Sequence, residues 1–95
     1  MKIERTPTGL FEMRLSEDES QFSHFAGLVR EALNGKWTEK TNGLDQTYWD
    51  LDVQGEIITL HREHYLGVSA FCKDRPKEIA VLERLKRILE ASKSE

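Results

Sequence analysis

One cysteine, Cys72, stands in the 95 residues. An internal disulfide and a cysteine-based metal cluster are therefore excluded, nothing marks an oxidising compartment, and cytoplasmic residence is expected. Long apolar runs are missing as well. None approaches the roughly 20 residues of a membrane helix, and the opening MKIERTPTG lacks the hydrophobic stretch of a secretory signal. No basic surplus is present: 14 Lys and Arg stand against 17 Asp and Glu, for a net charge of −3. Counterion release rewards clustered cations, so nucleic acid is not an expected partner. Gly35, Gly43, Gly55 and Gly67 are isolated turn glycines that build no phosphate loop. There is no internal repeat and no low-complexity linker.

What is present is enough to fold. Charged residues at 33% and hydrophobic residues at 38% do not reach the apolar depletion of a disordered chain. A chain this short buries roughly two thirds of its unfolded surface around one core. Residues 1–95 therefore read as a single domain, with loosely ordered ends at 1–8 and 92–95.

Alternation in GLFEMRL places Phe11, Met13 and Leu15 on one side of a first strand. Ser16 stands three residues before Glu19, a capping-box spacing that predicts a helix start. Phe22, Phe25, Ala26, Val29, Ala32 and Leu33 then form one apolar stripe, which Asn34-Gly35 ends with the glycine left-handed. Gly27, inside that helix, suggests close packing on the sheet. KWTEK reads as a short strand with Trp37 and Glu39 on one side. After the Asn42-Gly43 turn, QTYWDLDV alternates most clearly. VSAFC gives another strand with Val68, Ala70 and Cys72 inward. Pro76 opens a last helix whose stripe is Ile79, Val81, Leu82, Leu85, Ile88 and Leu89. The order βαββββα predicts an α+β two-layer sandwich: an antiparallel sheet of about five strands with both helices on one face.

A two-residue loop at Gln54-Gly55 sets the register of the central hairpin. Trp49, Leu51 and Val53 then face the core with Ile58 and Leu60. The other face collects Tyr48, Asp50, Asp52, Ile57, Thr59, His61, Glu63, Ser69 and Phe71. Alternation alone produces such a solvated face, but aromatic and aliphatic groups beside charges are also what protein interfaces favour. Tyr48, Asp50, Asp52, Ile57, Thr59, His61, Glu63 and Phe71 are therefore the candidate partner-binding residues, and Trp37 is a further candidate interface aromatic.

Metal binding by His61, Glu63 and Asp50 is the alternative chemistry, since they share a strand face in this register. It lacks a second histidine there, because His64 has the wrong parity and His24 lies on the first helix. Asp50 and Asp52 have no predicted pocket to split their acid and base roles, and Cys72 faces the core, where a thiol is inert. No cofactor is called for, and a non-enzymatic chain is expected. A homodimer through the same face is a third reading, in which Ile57 and Phe71 are structural.

The stretch YWDLDVQGEIITLHREHYLGVSA resembles a pattern of small bacterial α+β proteins of unknown function, and of immunity proteins that neutralise contact-delivered toxins. In these a hairpin reading aromatic-x-L-x-V-x-G-x-x-I/L-T-L-H-x-E precedes a Y-L-G-V turn. The resemblance implies a protein that acts by binding another protein, an inhibitor of the immunity type being one form.

Overall fold

A computed structural model describes residues 1–93 of the chain. The strands are β1 (Lys2–Arg5), β2 (Phe11–Ser16), β3 (Lys36–Asn42), β4 (Gln46–Val53), β5 (Glu56–Glu63) and β6 (Gly67–Cys72). The helices are α1 (Phe22–Leu33) and α2 (Glu78–Lys93), each entered through a single 3₁₀ turn. The strands form one antiparallel sheet in the order β1-β2-β6-β5-β4-β3. The inward side chains of four of them, among them Met13, Leu51, Ile58, Leu60, Val68 and Cys72, make one buried cluster with Phe22, Phe25 and Val29 of α1 and with Leu82, Leu85 and Leu89 of α2. The α+β class is as expected, with six strands instead of five.

The additional strand, β1, lies in the segment expected to be loosely ordered. Its pattern, KIER, carries too little alternation to announce a strand. Pairing of Lys2 with Arg14 through Arg5 with Phe11 fixes it on the edge of β2, and Ile3 packs against the core. Ser92 and Lys93 continue α2; the loose ordering expected for residues 94–95 falls outside the described residues.

Four local expectations are corrected. Ser16 does not cap α1: its Oγ accepts from the Asp18 N–H at 3.0 Å, while Asp18 Oδ1 accepts from the Ser20 N–H at 2.9 Å and caps the entry turn. At the other end Asn34, not Gly35, takes the left-handed conformation, with φ 51°. Gly35 is required for space, because a β-carbon there would lie 2.6 Å from Leu51 Cγ. Trp37 is not an outward aromatic. It pairs with Leu51 and meets Trp49 edge-on at 5.3 Å, since a bulge between Trp37 and Glu39 reverses the alternation and turns Glu39 outward. Ile79 is 45% exposed instead of joining the stripe, and the neighbouring Glu78 is buried at 6% exposure. Its Oε2 accepts from the Phe11 N–H at 3.4 Å.

Candidate functional site

The β4–β5 hairpin carries the whole register read from Gln54-Gly55. Those two residues sit at φ 53° and 90°, the doubly positive pair of a turn whose twist suits a hairpin, and Asp52 Oδ1 accepts from the Gly55 N–H at 2.8 Å. Tyr48 therefore pairs with His61, Asp50 with Thr59 and Asp52 with Ile57, while β6 sets Ser69 beside His61 and Phe71 beside Thr59. All eight candidate residues, with Glu63 at the end of β5, share the sheet face turned away from the helices.

Tyr48 lies flat on His61, with ring centroids 4.4 Å apart and planes within 6°, and Phe71 meets His61 edge-on at 6.5 Å. Beside this stack Asp50 is buried to 9% exposure and Thr59 to 1%, although no helix covers them. Burial of a carboxylate is costly unless both oxygens are satisfied. Here Oδ1 accepts from Thr59 Oγ1 at 2.7 Å and Oδ2 from Lys73 Nζ at 2.7 Å. Around them lies a shallow hollow of about 200 Å³ walled by Glu39, Thr41, Tyr48, Asp50, Thr59, Phe71 and Lys73. A second hollow of about 370 Å³ lies toward β1, between Lys2, Glu4, Glu12, Arg14 and Glu17.

His61 Nε2 is closed off from solvent and has no hydrogen-bond partner. Burial pushes the imidazole pKa below its ordinary value, against the opposing pull of Glu63 and Glu12. The Cys72 thiol is pushed the other way, upward, also by burial. His61, Glu63 and Asp50 do not converge: among the described residues no three of His, Cys, Asp and Glu form a group that could hold a metal ion.

Register also assigns the charges of this face. Carboxylates at Glu4, Glu12, Glu17, Glu39, Asp50, Asp52 and Glu63 outnumber the cations Lys2, Arg14, Lys36 and Lys73 by three. Sequence reasoning missed Glu39, because the bulge is invisible in KWTEK, and Lys73, because the alternation of VSAFC ends at Cys72. One more step of alternation turns Lys73 outward, and its N–H does bond the Ile57 carbonyl at 3.1 Å.

A second polar cluster, also unforeseen, lies beyond the core face. Arg62 donates to Thr47 Oγ1, to the Gly43 carbonyl and, at 3.0 Å, to Glu19 Oε2, while His64 Nδ1 lies 2.8 Å from Glu19 Oε1. The hydrogen bond to His64 holds the Glu19 carboxyl below its usual range. This cluster ties the entry of α1 to the loops at that end of the sheet.

No helix is long and apolar enough to cross a membrane among the described residues. A family model described as "Protein of unknown function (DUF3630)" matches residues 8–90. No curated protein and no solved structure matches the chain.

Proposed function

The chain belongs to the DUF3630 family, and we propose that it is a non-enzymatic protein-binding module that docks a basic segment of its partner on the helix-free sheet face. One observation carries this reading. The Tyr48 and Phe71 rings and the carboxylates of Asp50 and Glu39 gather around a single open hollow, with His61 stacked against Tyr48. Aromatic faces and carboxylates together suit a guanidinium or ammonium group, which gains both cation–π and charge-assisted contacts. Lys73 already places an ammonium 2.7 Å from Asp50 Oδ2, and the surrounding acidic surplus attracts more of the same kind. Non-enzymatic action is supported by the commitment of both Asp50 oxygens to Thr59 and Lys73 and by the burial of Cys72. An immunity-type inhibitor, the form implied by the hairpin resemblance, is one such module.

The test uses fluorescein-labelled peptides in which Arg or Lys alternates with apolar residues, read by anisotropy against the full chain. Binding should weaken at least about tenfold in Tyr48→Ala and Phe71→Asp, because anchors at the centre of an interface dominate its energy. Equal binding by parent and folded variants, or none by any cationic peptide, refutes the reading. So does a dimer, detected by light scattering over a concentration series, that Phe71→Asp dissolves, because the face would then belong to a second copy.

A further inference from the structure

Besides His61 Nε2, one other buried polar side-chain atom among the described residues lacks a partner, and it lies on the opposite side of the sheet. Glu56, the first residue of β5, points toward the helices, and its Oε2 is sealed from solvent without a hydrogen bond. An unpaired buried carboxylate oxygen is costly and calls for a donor. The nearest cations do not supply it. Lys77, just before α2, and Arg84 and Arg87 of α2 line the surface around Glu56, yet none of the three forms an ion pair with a described residue.

Two contiguous hollows meet at Glu56 and Arg84, one of about 210 Å³ and one of about 320 Å³. Their walls are otherwise largely aliphatic, with Leu33 from the end of α1, Val53 from β4 and Val81 from α2. An unsatisfied carboxylate thus stands across a small apolar groove from unpaired guanidinium groups. We propose that this groove binds a free aliphatic α-amino acid, with its ammonium on Glu56 Oε2, its carboxylate on Arg84 and Arg87, and its side chain against Leu33, Val53 and Val81. A simple anion would leave Glu56 unpaired, and a simple amine would leave the guanidiniums unpaired. Only a ligand carrying both charges close together satisfies Glu56 and the guanidiniums at once. The site is separate from the docking face and does not depend on that reading.

The experiment titrates the full chain with leucine, valine, aspartate and lysine, and separately with acetate and methylammonium, reading the thermal midpoint and amide chemical shifts. For a Kd of about 1 mM, about 10 mM leucine raises Tm by roughly 5–10 °C, with shifts confined to the ends of α1 and β4, the start of β5 and α2. Aspartate, lysine and the two half-ligands should have less effect. Glu56→Gln, which preserves side-chain size, and Arg84→Gln, which removes the guanidinium, should each abolish the response, whereas Tyr48→Ala on the other face should retain it. The proposal is overturned if no amino acid produces a shift, or if acetate alone matches leucine. It is equally overturned if Glu56→Gln responds like the parent, or if a double-mutant cycle without ligand shows Glu56 and Arg84 coupled as an ordinary ion pair.

Discussion

At the scale of single residues, two glycines in the same helix-and-turn segment have opposite roles. Gly35 leaves room for the fully buried Leu51, whose Cγ would lie 2.6 Å from an added β-carbon. Gly35→Ala should therefore destabilise by about 1–3 kcal/mol through overpacking. Gly27 is exposed, with nothing within 4 Å of where its β-carbon would be, so the expected packing reason for it is absent. Gly27→Ala should stabilise by about 1 kcal/mol, the difference in helix propensity, and urea denaturation measures both variants. His61 makes a prediction about pH. Burial sets its folded pKa below its unfolded one, so the unfolded chain takes up the proton first and stability falls as pH drops through 6.5. The decline in Tm from about pH 7.5 to about pH 5.5 should be shallower in His61→Asn than in the parent, and an unchanged slope would show that the imidazole titrates as if unfolded.

Elements are joined here by side chains that their own periodicity does not predict. Arg62 has core parity in β5 but stands at the end of the sheet, where its guanidinium gathers Thr47, the Gly43 carbonyl and Glu19. Removing it leaves several acceptors unpaired at once, and hydrogen bonds to a charged group are the stronger kind. Arg62→Ala should cost about 2–3 kcal/mol. It should also speed amide exchange in the 43–45 loop and at the entry of α1, a pattern that distinguishes a lost tie from general weakening. The β5–β6 turn is fixed by a different means. Gly67 has φ 110°, and a β-carbon there would lie 2.1 Å from the Ser16 carbonyl, so the backbones of β2 and β6 approach as closely as they can only at a glycine.

Across the whole molecule, charge divides by face. The sheet face turned from the helices carries a surplus of three carboxylates, equal to the net charge of the chain, while Lys77 at the entry of α2 clusters with Arg84 and Arg87 on its exposed side. A field of this kind steers cationic partners to one side, over a range set by the Debye length. Stopped-flow association of a cationic peptide should slow several-fold as salt rises from about 0.05 M to about 0.5 M, with dissociation changing less. A salt-independent association rate would mean that the face does not steer.

The central hairpin was legible in the sequence because its information is local. Period-2 alternation and a two-residue turn fix which side chains share a face, and every pair from Val53–Glu56 to Tyr48–His61 followed from them. The apolar stripe of α1 and most of that of α2 were readable for the same reason. Tertiary structure decided whatever depended on a distant neighbour. β1 exists because β2 offers an edge, Trp37 turns inward because a bulge at Thr38 meets β4, and Glu19 finds Arg62 and His64 across more than 40 positions. Hydrogen-bonding groups that close on partners far along the chain leave no periodic trace, so only the folded molecule shows which carboxylates are satisfied and that Glu56 is left without a partner.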